Sequence, residues 1–279
     1  MCETCGCNVT PGNAHLVEND GSLSHTSSGA ASVEVLKGLL DANDHEAQHN
    51  RSHFDQHQVF AINLMSSPGS GKTSLLEATI EALAGKFRLA VIEGDLATEN
   101  DAQRIQEKGV AAIQISTGSA CHLDAHMVHK ALHKLSLDEL DLLFIENVGN
   151  LVCPASFDLG QHRNVTLLSS TEGDDKPAKY PVMFRASDLM LITKSDLLDV
   201  IGDFDPDRAV TYLRQLANPA DVFTLSSRNG SGMQAWCDWI SDEIDRYRNQ
   251  LGAGESTHPR SLPQHQTTHA HSHATGEGL

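Results

Sequence analysis

The 279-residue chain contains no run of 18 or more apolar residues, and its N-terminus lacks the basic region and apolar stretch of a secretory signal. A membrane span is therefore not expected, and the chain reads as cytoplasmic. Cations are scarce too: 20 Lys and Arg stand against 37 Asp and Glu, for a formal net charge of -17. Nucleic-acid backbones are held by clustered Lys and Arg, so no nucleic-acid partner is expected, and the acidic surface serves solubility. Repeats of the solenoid kind are absent. Residues 8–32 are rich in Gly, Ser, Asn and Thr and have too few large apolar side chains to offset the entropy of ordering. They read as a flexible leader. Residues 253–279, with Pro, Gly, Thr and five histidines in "THPRSLPQHQTTHAHSHATGEGL", read as a disordered His-containing tail.

Between these ends, 33–252 reads as one α/β domain. Val33, Leu36, Leu39 and Leu40 fall at helical spacing behind a possible Ser32 cap, which predicts one short helix docked on the domain. Apolar runs then alternate with helical patterns: 59–65, 89–92, 111–115, 142–145, 165–168, 189–192 and 222–225. Runs this apolar indicate a mostly parallel sheet covered on both faces by helices.

"SSPGSGKTSLL", 66–76, follows a strand and opens a helix, the context a P-loop requires. Backbone N–H groups around Gly69, Ser70 and Gly71 would cradle phosphate oxygens, and Ser74 would continue the phosphate contacts. Lys72 would reach the β- and γ-phosphates and Thr73 would hold Mg²⁺. Ser66 stands where the pattern usually begins with Gly. In "LITKSD", Asp196 can accept from the N1–H and N2 amine of guanine, a pairing that adenine does not offer, so GTP is favoured. The Lys194 stem can lie on the purine face. Thr193 replaces the usual Asn of that pattern. Ser226 and Ser227, in "SSRNGSG", follow the next strand and are placed to give a backbone N–H to guanine O6. Asp95 and Glu146, at strand ends, are assigned to Mg²⁺ and the attacking water, which makes Lys72, Asp95 and Glu146 the catalytic set, and Gly149 can sense the γ-phosphate. Glu93 reads as a solvated acid.

The six cysteines point to softer chemistry. In a reducing compartment clustered thiols are metal ligands or redox groups more often than a disulfide framework. Cys121 and His122 are adjacent, and Cys153 lies seven residues after Glu146, a span of at most about 25 Å when extended. Thiolate with imidazole suits Zn²⁺ or Ni²⁺, although buried inert thiols are the plainer reading. At about 100° per residue, His122, His126, His129 and His133 share one helix face opposite the apolar side chains. They read as an exposed stripe, either a solvated face or an auxiliary metal site. "MCETCGC" sets Cys2, Cys5 and Cys7 in C-x2-C-x-C spacing, able to wrap one Ni²⁺ or Zn²⁺ with the free amine of Met1 as fourth ligand. Redox relay by Cys2 and Cys5 is the rival, and Cys237 reads as a packing residue.

In combination, "MCETCGC", "SSPGSGKTSLL", "IEGDLATENDAQRI", "TGSACHLDAHMV", "IENVGNLVCPASFDLG" and "TKSDLL", in this order, resemble the HypB family of nickel-insertion GTPases of [NiFe]-hydrogenase maturation. The resemblance implies a SIMIBI-type P-loop NTPase fold, GTP hydrolysis to GDP and phosphate, and a homodimer formed when GTP is bound. It implies that Cys121, His122 and Cys153 form a Ni²⁺ or Zn²⁺ site near the dimer interface. It also implies that Met1, Cys2, Cys5 and Cys7 form the N-terminal nickel site found in some members, making 1–7 a metal-binding motif. Implied partners are a HypA-type accessory protein, a SlyD-type metallochaperone and the hydrogenase large subunit precursor. Two rivals remain: a nickel-sequestering protein with a vestigial nucleotide site, against which Lys72 and Thr73 count, and the urease-maturation GTPase, where the N-terminal thiols are not expected.

Overall fold

The computed structural model describes residues 30–95, 100–118 and 120–260. The Met1, Cys2, Cys5 and Cys7 motif, the leader up to residue 29, and tail residues 261–279 lie outside the described residues.

In chain order the elements are α1 (Ala30–His57), β1 (Phe60–Ser66), α2 (Lys72–Ala82), β2 (Leu89–Asp95), α3 (Asn100–Glu107), β3 (Ala111–Ser116) and α4 (Ala125–Leu132). There follow β4 (Leu142–Glu146), β5 (Arg163–Ser169), α5 (Lys176–Lys179), α6 (Pro181–Arg185), β6 (Leu189–Thr193), α7 (Leu198–Ile201), α8 (Pro206–Gln215), β7 (Asp221–Thr224) and α9 (Met233–Gly252). The seven strands pair in parallel in the order β3-β2-β4-β1-β5-β6-β7. Each lies on one of the seven apolar runs. The sheet is thus parallel throughout, and β1, carrying the P-loop at its C-terminal end, sits at its centre.

Alternation along β1 explains the layering. Phe60, Ile62 and Leu64 face one side, where they pack with Leu75, Leu76 and Ile80 of α2 and Trp236, Ile240 and Tyr247 of α9. Val59 and Ala61 face the other, joining Phe54 of α1, Val128 and Leu132 of α4, and Leu143 and Ile145 of β4. A third cluster, with Met65, Leu168, Met190 and Ile192, lies under α6 and α8. Burial on both faces is why these strands read as continuous apolar runs rather than alternating ones. Cys237 is buried in the first cluster, as a packing residue should be.

Two boundaries shift. The short helix predicted from 33 begins at Ala30 and runs 28 residues to His57. Polar residues on its inner face extend it, because each finds a partner. Asn43 donates to the Asp158 carbonyl at 2.8 Å and accepts from the Ala125 N–H at 2.9 Å. Asn50 donates to the carbonyls of Ala125 and Leu159 at 2.8 and 3.1 Å, and Arg51 pairs with Asp158 at 2.8 Å. A polar residue that satisfies buried backbone groups belongs to a core as much as an apolar one does. The tail is the other correction: 253–260 is not disordered. The Arg260 N–H donates to Asp188 at 2.9 Å, Arg163 donates to the His258 carbonyl at 3.1 Å, and Thr257 is buried.

Candidate functional site

The phosphate loop forms where β1 ends. Gly69 (φ 75°) and Gly71 (φ 93°) both take left-handed backbone conformations that side chains disfavour, which accounts for glycine at these two positions. Lys72 and Thr73 open α2, so the helix N-terminus faces the loop. The Lys72 ammonium donates to Ser66 Oγ at 3.1 Å, so the residue that departs from the glycine pattern serves as a rest for the phosphate-reaching lysine. Ser70 Oγ is held by Glu172 at 2.8 Å, a carboxylate that sequence reasoning did not single out.

Facing the loop is a cavity of about 500 Å³ lined by Lys72, Thr73, Ser74, Glu93, Asp95 and Glu146. Thr73 donates its hydroxyl to Glu146 Oε1 at 3.0 Å. Glu93 and Glu146 are register partners on β2 and β4, and each is buried with one carboxylate oxygen lacking a hydrogen-bond partner. Burial raises Glu146 to about 7; burial and then the charge of Glu146 raise Glu93 to about 8. Glu93 was expected to be solvated, and that expectation is overturned: it is 2% exposed. The signal was present in its place inside an apolar strand, where a residue points to one sheet face or the other and not to solvent. Two orphaned carboxylate oxygens beside a threonine hydroxyl fit a hard divalent cation such as Mg²⁺, which prefers oxygen and would relieve the burial of charge. Asp95 ends β2 and lines the same cavity. Gly149 lies directly over the loop; a Cβ there would come within 2.8 Å of Pro68 Cα, so only glycine permits this approach.

A second cavity of about 500 Å³ adjoins the first, sharing Gly71, Ser74 and Lys194 with it, and is also lined by Thr193, Asp196, Ser226 and Ser227. Ser226 donates to Asp196 Oδ1 at 2.6 Å and aims that carboxylate. Lys194, left-handed at φ 57°, extends across the loop and donates to the Gly69 carbonyl at 2.7 Å. The Thr193 hydroxyl donates to the Ser70 carbonyl at 2.8 Å, tying this motif to the phosphate loop where the pattern would have Asn. Every residue assigned to nucleotide binding from the sequence therefore lines one of two joined cavities.

The thiols converge at the far end of the segment that begins at Glu146. Cys121 Sγ lies 3.2 Å from Cys153 Sγ and 3.7 Å from His122 Nδ1. His122 is buried and stacked on Phe157, ring centroids 3.9 Å apart, and burial lowers its pKa to about 4, leaving a neutral imidazole ready to bind metal. Cys153 is pushed up to about 11, by burial and by the adjacent Cys121. Two thiols in contact, one of which, Cys153, resists ionisation without a cation, beside a neutral imidazole, are a donor set for a soft or borderline ion. Two asparagines missed by sequence reasoning hold the arrangement. Asn147 accepts from the Leu123 N–H at 3.1 Å, and Asn150 donates to the Cys121 carbonyl at 3.2 Å.

The histidine stripe does not form as expected. His122 precedes α4, whose cap is Asp124, and it belongs to the thiol site rather than to an exposed face. His129 turns toward His49 of α1 and His133 lies against His129, while neither His126 nor His133 belongs to a metal-sized group among the described residues. Nor is any described helix long and apolar enough to cross a membrane.

Comparison with known proteins gives a consistent result. The family described as CobW/HypB/UreG, nucleotide-binding domain, matches residues 60–223. The hydrogenase maturation factor HypB of Azotobacter vinelandii is 50% identical over 232 residues, covering 80% of this chain and 76% of that protein. That of Escherichia coli K12 is 47% identical over 211 residues, covering 76% and 72%. Among solved structures, Helicobacter pylori HypB in complex with nickel aligns with a TM-score of 0.70 at 39% identity, covering 73% of this chain and 95% of that one.

Proposed function

Since the chain belongs to the HypB family of hydrogenase maturation factors, with its CobW/HypB/UreG nucleotide-binding domain, we propose that it hydrolyses GTP to control the binding and delivery of Ni²⁺ during [NiFe]-hydrogenase maturation. The observation that carries this reading is a single short segment. At one end Glu146 accepts from Thr73 of the phosphate loop; at the other Cys153 lies 3.2 Å from Cys121.

In this reading Asp196 and Lys194 select and cover guanine, and Lys72 leaves Ser66 to meet the β- and γ-phosphates. Thr73, Glu146 and Asp95, with Glu93 close by, would hold Mg²⁺, which when bound neutralises charge developing on the phosphates. Asp95 orients the attacking water. The backbone N–H of Gly149 meets the γ-phosphate, and its loss on hydrolysis shifts Gly149 against Pro68. Because Asn147 and Asn150 bind the backbone of Leu123 and Cys121, that shift alters the spacing of Cys121, His122 and Cys153. Ni²⁺ is the cargo of this site and Zn²⁺ its competitor. Cys2, Cys5 and Cys7 with the Met1 amine are the tighter N-terminal nickel clasp. A GTP-dependent homodimer, a cytoplasmic location, and a HypA-type accessory protein, SlyD-type metallochaperone and hydrogenase large subunit precursor as partners complete the proposal.

Nickel affinity measured on full-length protein bearing Ser at Cys2, Cys5 and Cys7 tests it. The affinity is expected to differ between the GDP and non-hydrolysable GTP-analogue states. Equal affinities would mean that two unlinked functions share one chain.

A further inference from the structure

Away from the nucleotide and thiol sites, the seam between α1 and α4 gathers an unusual set of side chains. Glu46 and His49 lie one turn apart on α1, and His129 approaches them from α4. Ligand atoms from these three residues all lie within 4.8 Å of one another, and Glu46 Oε1 is 3.7 Å from His129 Nδ1. Further imidazoles surround them. The His49 and His129 ring centroids are 4.9 Å apart, and His53 is 4.6 Å from His49 and 5.7 Å from His129. His133 Nε2 lies 3.1 Å from His129 Nε2.

We propose that Glu46, His49 and His129 form a second divalent-metal site in the folded domain, bridging α1 and α4 and taking Ni²⁺ or Zn²⁺. Two imidazoles and a carboxylate match these borderline ions and not Mg²⁺, which takes oxygen ligands almost alone. Donors around an ion bonded at about 2.0 to 2.2 Å stand closer together than 4.8 Å, so small side-chain rotations close the site. His133 supplies a fourth donor beside His129. Asn50, fixed by its own bonds to Ala125 and Leu159, lies 3.0 Å from His129 Nδ1 and sets the orientation of that ring, the usual duty of a group behind a metal-binding histidine.

The site differs in consequence from the thiol site. Lacking sulfur, it holds an exchangeable ion, and because its ligands come from two helices, an ion there clamps α1 to the domain. It does not depend on the nucleotide chemistry proposed above.

The test uses full-length protein with Ser at Cys2, Cys5, Cys7, Cys121 and Cys153, so that no thiol metal site remains. Zn²⁺ is expected to raise its melting temperature, since an ion bound by the native state alone stabilises it. His49→Gln, at an exposed position where folding is not at risk, should abolish that shift and lower the bound Zn²⁺ by one equivalent in equilibrium dialysis. His129→Gln should do the same, and His126→Gln should change neither. A parent with no shift would overturn the proposal, as would a His49→Gln variant that keeps the parent's shift and stoichiometry. Loss on His126→Gln with retention on His49→Gln would overturn it in favour of the helix-face stripe.

Discussion

The segment from Glu146 to Cys153 meets oxygen at one end and sulfur and nitrogen at the other. At Glu146 the surroundings are a threonine hydroxyl and carboxylates, two of whose buried oxygens have no hydrogen-bond partner. At Cys153 they are a second thiol and a neutral, buried imidazole. Both regions are arranged so that charge is costly until a cation arrives, yet they call for different cations. Hard oxygen donors suit Mg²⁺, and thiols with imidazole suit Ni²⁺ or Zn²⁺. In the proposed reading, an ion at the phosphate loop and an ion at the thiols occupy one small domain without exchanging places, and the segment between them links the two.

The contrast breaks most visibly if a donor is removed from one end alone. Asp95→Ala should lower GTP turnover by at least about 100-fold, the usual scale for losing a group that handles the attacking water, with Ni²⁺ binding at Cys121 retained. Full turnover in that variant would remove Asp95 from the mechanism. At the other end, Cys153→Ser should weaken Ni²⁺ at the thiol site by at least about tenfold, since even losing an outer partner of a ligand costs that much, while GTP binding persists. Isothermal titration of the variant checks both halves of that statement.

A smaller effect sharpens the electrostatic side. Glu93 has a folded-state pKa of about 8 against an ordinary 4.5. Between those values the folded state binds more protons than the unfolded state, so this group lowers stability as pH rises from 4.5 to 8. Glu93→Gln, which mimics the neutral acid, should stabilise the nucleotide-free protein by on the order of 4 kcal/mol at pH 8 and by under about 1 kcal/mol at pH 5. Denaturant titrations at the two pH values read it directly, and an equal gain at both would show that Glu93 is not held protonated.

Much of this was legible in the residues. The seven apolar runs became the seven strands, because a strand buried on both faces leaves a continuous apolar signature. The phosphate loop was legible because its glycines answer a local backbone demand. Glu93 was misread because it follows the apolar run at 89–92, whereas β2 continues to Asp95 and sets it beside a buried neighbour on β4. The extent of α1 was hidden for a related reason: Asn43, Asn50 and Arg51 look like surface residues until the carbonyls and carboxylate they satisfy are brought to them.

What the sequence by itself determined is therefore local: strand, turn and helix start, set by side-chain pattern and by the conformations glycine alone takes easily. Tertiary structure decided which donors meet. Cys121 reaches Cys153 across 32 residues of chain, and His129 of α4 meets Glu46 and His49 on α1. The physical reason is that a metal-sized cluster depends on the register and packing of elements distant in sequence. A histidine's spacing along one helix shows which face it occupies, but not what lies opposite.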